Sequence, residues 1–181
     1  MADYLTVPLD TKHKKSEFTC GNTYLDNYIQ KQAKQDVKRK LSACFVMSNE
    51  EDNEIRGFYT LSNAGIPREV IPEEIKKKLP RAYESLPVTL LGRLAISEKY
   101  KGQGLGKLLL IDALKRSFEV SKVIGSMAVI VDPIDGNAIK FYDRFGFISL
   151  PDSEKMFLSM KTIEELFKYK KEKPAAKINS Q

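Results

Sequence analysis

The sequence predicts an α/β (α+β) domain of six to seven strands flanked by about four helices, and three observations predict it. Apolar, β-branched runs recur at 43–47, 55–62, 88–96 and 127–131 with turn residues between them. Two other segments carry their apolar residues at helical spacing: Leu25, Ile29, Ala33 and Val37, then Ala138, Phe141, Tyr142 and Phe145. Third, the strand at 88–96 runs through a glycine-rich turn into a helical run that starts at Leu108.

Taken in order, Leu5 to Leu9 is a short apolar run suited to an edge strand, and Lys12, His13, Lys14 and Lys15 form a basic loop with His13 at the surface. Asn22 or Thr23 can cap the first helix. Its far side carries Lys31, Lys34 and Lys38, and it exits through Arg39 and Lys40. Such a face is either a solvated surface or a strip of contacts to a phosphate backbone. Ala43 to Met47 and Ile55 to Ser62 are strands joined by the acidic turn Asn49 to Asn53, so antiparallel pairing is the simplest topology. Residues 67–87 hold Pro67, Pro72, Pro80 and Pro87, and read as a loop with one short helix, expected beside a substrate mouth. Beyond the central unit come a strand at 127–131, a turn ending at Asn137 as helix cap, and a helix closed by a left-handed Gly146. Strands at 147–150 and 155–160, a helix at 162–169 and a disordered polar tail complete the chain.

The length favours one domain, taken as residues 1–167 with a basic tail at 168–181. Hydrophobic residues make up 42% and charged residues 30%, the balance of a globular protein, with no membrane span or export signal in the sequence. A cytoplasmic location is therefore expected. The tail from Lys168 holds five Lys and one Glu, so the net charge of +6 leaves only about +2 for the rest. Cys20 and Cys44 are the only cysteines and His13 the only histidine, which argues for reduced thiols and against a metal site.

The glycine turn is Lys101-Gly102-Gln103-Gly104-Leu105-Gly106. Glycines at these positions let successive N–H groups face one anion, and the following helix start and Lys101 and Lys107 add positive charge. It is not a Walker loop, because Lys107 is followed by Leu108 and no hydroxyl is available for magnesium. Nor is it a dinucleotide fingerprint, because the order is Gly-x-Gly-x-Gly, and Lys122 and Val123 stand where an acidic residue belongs.

Strand Leu90-Leu91-Gly92-Arg93-Leu94-Ala95-Ile96, the turn Tyr100 to Gly106 and the block Asn137 to Phe147 together resemble the acetyl-CoA-binding core of the GNAT acetyltransferase superfamily. Lys101 departs from its Gln/Arg-x-x-Gly-x-Gly/Ala pattern, keeping the charge without the guanidinium fork. The resemblance implies a mixed, mostly antiparallel twisted sheet and an N-acetyltransferase with acetyl-CoA as donor. It puts Leu94, Ala95 and Ile96 on the pantetheine arm, Lys101, Gly102, Gln103, Gly104, Leu105, Gly106 and Lys107 on the pyrophosphate, and Phe141 beside the cofactor. Asn137 either touches the cofactor or only caps its helix. Tyr142 would protonate the leaving thiolate, whereas spacing alone favours reading it as a core aromatic on an amphipathic helix. No general base is evident; a free α-amine near pH 8 needs less help than a lysine near 10.4, which favours an aminoacyl ester as acceptor.

Phe18-x-Cys20-Gly21, Gln32-x-x-Gln35-Asp36, Gly57 to Ser62 and Leu86 to Ala95 are similar to GNAT toxins of bacterial toxin–antitoxin modules. That similarity implies aminoacyl-tRNA as substrate, a ribbon-helix-helix antitoxin as partner, and Lys31, Lys34, Lys38, Arg39 and Arg93 as RNA contacts. A small amine or peptide N-terminus as acceptor, or a CoA-responsive RNA-binding module without catalysis, are the alternatives, and a homodimer is left open.

Overall fold

A computed structural model describes residues 4–172. Seven strands form one sheet in the order β1-β2-β3-β4-β5-β7-β6: β1 Val7–Pro8, β2 Ala43–Ser48, β3 Ile55–Pro67, β4 Ser85–Ile96, β5 Ala128–Val131, β6 Ile148–Ser149 and β7 Met156–Ser159. All neighbouring pairs are antiparallel except β4 and β5. That parallel pair requires a crossover, supplied by the long helix Leu105–Ser121 (α4 below).

Before it come α1 Thr23–Asn27 and α2 Ala33–Lys38, joined by a π-helical turn Tyr28–Gln32, and the short α3 Glu73–Lys76. The Asn22 side chain accepts from the Leu25 N–H, as a cap should. After α4 follow α5 Gly136–Asp143 and α6 Met160–Glu172. The last helix starts two residues earlier than expected and takes in residues 168–172, so the basic segment begins as helix; residues 173–181 of the expected tail lie outside the described residues. No helix among the described residues is long and apolar enough to cross a membrane.

Both sheet faces are covered. On one, Leu109, Leu110, Ala113 and Leu114 of α4 pack with Leu91, Val129, Val131, Tyr142 and Ile163. On the other, α1 and α2 bury Leu25, Ile29 and Ala33 against Val46, Phe58 and Ala95. Residues 67–84 cover the rest of that face through Ile71, packed with Ile66, Val88, Ile130 and Phe157. Arg68 holds this excursion together by donating to the carbonyls of Lys76, Leu79 and Pro80.

Three expectations are corrected here. The 67–87 segment is partly strand rather than a loop with one short helix, since β3 and β4 pair as far as Pro67↔Ser85, and its apolar residues cover core. His13 is buried at 3% exposure, not at the surface, because its Nδ1 accepts the Asp10 N–H and folds the basic loop inward. Burial pushes its pKa below the ordinary value. Asn137 does not cap its helix: Asp135 does, accepting from the Ala138 N–H at 2.8 Å.

Gly57 sets how closely α4 approaches the sheet. A Cβ there would stand 2.7 Å from Ile96 Cδ1, 2.8 Å from the Ala95 carbonyl and 2.8 Å from Leu109 Cδ1. Gly57→Ala is expected to cost about 1–3 kcal/mol through this overpacking, read as a lower denaturant midpoint.

Candidate active site

The sheet opens where β4 leaves β5. The two pair only over Thr89–Leu91 and Val129–Val131, whereas β4 stays paired with β3 as far as Ile96. The edge of β4 that faced β5 is therefore unpaired through Leu94, Ala95 and Ile96, and an extended amide chain can add to it by main-chain hydrogen bonds. The bulge near Gly92 lies at this divergence, between Thr60 and Leu61 on the partner strand.

The same strand leads directly into the glycine turn. Gly102 and Gly104 sit at φ +77° and +76°, conformations that L side chains rarely adopt, and a Cβ on either would meet nothing within 4 Å. Their requirement is thus conformational rather than steric. Gly104 caps α4 without a side chain, and the first turn of α4 holds no acidic residue, so its N–H groups remain free for an anion. A cavity of about 430 Å³ lies over the turn, lined by Gly102, Gly104, Gly106 and Lys107 with Arg144 opposite. Lys101 borders it too, but its Nζ donates to the Cys20 carbonyl at 2.7 Å, tying the turn to the loop before α1. Arg144 was not singled out from sequence, since a charged residue after a helix reads as solvated surface.

A second cavity of about 410 Å³ adjoins the first, the two sharing Lys101, Gly106 and Phe141. It is lined by Leu94 and Arg93 of β4, Tyr24 and Leu25 of α1, and Asn137 and Tyr142 of α5. Tyr142 is 8% exposed, edge-on to Phe141 at 5.3 Å and against Phe147 at 5.2 Å. Burial alone pushes its phenol pKa well above the ordinary value, so it is held in the neutral, proton-bearing form. Arg93 lies over the Tyr28 ring at 3.6 Å and donates to the Tyr24 hydroxyl at 3.0 Å. Burial pushes the Tyr28 phenol up to about 12, with the Arg93 charge working in the opposite direction. Tyr24 went unnoticed in the sequence because its neighbours carry the helix pattern and it falls off the buried stripe.

The structure brings Arg93 into the cleft but not the rest of the expected basic set. Lys31, Lys34, Lys38 and Arg39 are exposed on α2 and the turns flanking it, and line no part of the cleft that holds Tyr142. Gln103 is exposed, and Leu105 half-buried, at the start of α4.

The observed free strand edge, open glycine cradle and adjoining cavities fit acetyl-CoA, the donor of the acetyltransferase family. The family model described as "Acetyltransferase (GNAT) family" matches residues 11–147. A tRNA-acetylating toxin of Mycobacterium tuberculosis is 34% identical over 152 residues, covering 83% of this chain and 89% of that protein. The structure of AtaT complexed with acetyl-methionyl-tRNAfMet superposes with a TM-score of 0.83 at 27% identity, covering 91% of this chain and 99% of that one. A Tyr-to-Phe mutant of the AtaT toxin, bound to the C-terminus of the antitoxin AtaR and acetyl-CoA, gives 0.75 at 25% identity, covering 90% and 96%. With a family match over most of its length and a curated relative above 30% identity, the chain belongs to the GNAT acetyltransferase family.

Proposed function

We propose that this protein transfers acetyl from acetyl-CoA to the α-amine of aminoacyl-tRNA, and that it acts in the cytoplasm as the toxin of a toxin–antitoxin module. The observation that carries this reading is a pair of adjoining cavities. One lies over the glycine turn beside the free edge of β4, and the other is lined by Tyr142 with the aromatic and basic pair Tyr24 and Arg93. The toxin relatives support the acceptor, and the antitoxin-bound AtaT supports an antitoxin as partner, of the ribbon-helix-helix class that the resemblance to GNAT toxins implies.

Acetyl-CoA supplies the thioester. Leu94, Ala95 and Ile96 would hold the pantetheine amides by main-chain pairing, while Gly102 to Gly106 and Lys107 would hold the pyrophosphate, with Lys101 and Arg144 at its border. Phe141 and Asn137 would hold the cofactor from α5. The acceptor nitrogen attacks as a free amine: the N–C bond forms, the C–S bond breaks, the amine's surplus proton leaves to solvent, and Tyr142 gives its proton to the departing sulfur and takes one back from solvent. The resulting amide cannot return its nitrogen to peptide synthesis. Arg93 takes the tRNA end at the cleft, and Lys31, Lys34, Lys38 and Arg39 follow the phosphate backbone.

The test is transfer of labelled acetyl to a pool of charged tRNA, with uncharged tRNA and polyamines in parallel. Label on charged tRNA alone is expected, with acceptor KM rising on the order of 100-fold between about 50 and about 200 mM salt for roughly five phosphate contacts. Label on polyamines or peptides without salt dependence would give a GNAT enzyme of another acceptor. Binding of CoA and RNA without any transfer would leave a non-catalytic module.

A further inference from the structure

The walls of the Tyr142 cleft carry the cations Arg93 and Lys101 and, among the described residues, a single carboxylate, Asp132. Such walls suit phosphates and favour the free form of an acceptor amine, but neither cation can accept a hydrogen bond from its N–H. Asp132 supplies the acceptor they lack. It directly follows Val131, the last residue of β5 paired with β4, so it sits at the fork where the strands part. Pro133 behind it has no N–H and a fixed φ, which turns the chain out of the ladder at that point. Lys155, just before β7, donates to Asp132 Oδ1, while Asp132 stays 48% exposed along its side chain. One carboxylate oxygen is thus occupied and oriented, and the second is not engaged by that bond.

We propose that Asp132 is the positioning group for the acceptor amine, accepting a hydrogen bond from its N–H at the mouth of the cleft. The inference rests on the acetyl-transfer reading above and adds the acceptor's anchor to it. Asp132 fixes where the nitrogen sits relative to the thioester, and Tyr142 serves the sulfur on the other side of the same bond.

The bland role for Asp132 is a tie between the end of β5 and the start of β7, and the ion pair with Lys155 would account for it. Two variants separate the roles in the full-length protein. Asp132→Asn is expected to raise the acceptor KM about 10-fold, the size of a lost charge-assisted hydrogen bond, with the KM for acetyl-CoA changed less than about twofold. Lys155→Met removes the tie but leaves the carboxylate, and is expected to keep the acceptor KM within about threefold of wild type. Equal effects of the two variants on the acceptor, equal changes in both substrates' KM, or an unchanged Asp132→Asn enzyme would each overturn the assignment while leaving the transferase reading intact. A wild-type protein that acetylates no amine would overturn both.

Discussion

Tyr142→Phe is expected to slow acetyl transfer about 100- to 1,000-fold with the KM for acetyl-CoA nearly unchanged, since general-acid catalysis is worth about that much. The substitution removes one oxygen from a ring already packed against Phe141 and Phe147, so the fold should be retained and the loss should fall on kcat. The pH profile carries a second signature. A general acid must be protonated, and an ordinary phenol ionises near pH 10. Burial disfavours the tyrosinate and moves this one upward, so the neutral form persists past that point. The wild-type rate at saturation should therefore show no alkaline fall through about pH 10. Single-turnover transfer to charged tRNA across pH 6 to about 10 checks both claims; a Phe variant with wild-type kcat would remove Tyr142 from the chemistry.

The second large effect is on stability. Asp112 is 3% exposed on α4 and accepts from the Leu5 N–H at 2.6 Å, the Thr6 hydroxyl at 2.6 Å and the Tyr59 hydroxyl at 2.7 Å. Arg116 one turn on donates to the Tyr59 hydroxyl and the Thr6 carbonyl, with its guanidinium 3.7 Å from the Tyr4 ring centre and 3.9 Å from that of Phe45. Its own approach to Asp112 is 3.9 Å, so the carboxylate's strength lies in its three hydrogen bonds more than in the ion pair. Asp112→Ala removes the shared acceptor of these three donors and leaves the Arg116 guanidinium without its nearby carboxylate, and is expected to cost about 3–5 kcal/mol. None of these groups lines the Tyr142 cleft, so acetyl transfer per folded molecule should stay near wild type. Denaturant unfolding at pH 7 with transfer measured in parallel tests the separation; a cost under about 1 kcal/mol would show that water replaces the carboxylate.

This network was illegible in the sequence for a definite reason. Asp112 and Arg116 are four apart on a helix, the spacing of an ordinary exposed ion pair, and only the docking of β1 makes the site an interior. His13 was misplaced in the same way, by neighbours Lys12, Lys14 and Lys15 that speak for a surface while the Asp10 N–H turns the imidazole inward. Asn137 and Asp135 are both good caps, and Gly136 between them hides which one stands before the first helical residue. By contrast, the strand, glycine turn and helix that border the two cavities were readable because they are contiguous, following each other from 88 to 121, and backbone requirements leave marks in composition. The β3–β4 hairpin was readable in its apolar part only. Its extension through Asn63, Gly65 and Pro87 is held by pairing across the ladder, against the preferences of those residues.

The fork between β4 and β5 divides the labour of the molecule. On the reading proposed above, most of the donor's grip would come from the unbroken span 94–107, whereas the opposite wall is lined by α1, Arg93 and the short turn after β5. The two sides can accordingly change at different rates. A lineage could exchange Tyr24, Pro133 or Ile134 and shift its preferred acceptor while the span that uses acetyl-CoA stays fixed, so a common currency serves many customers.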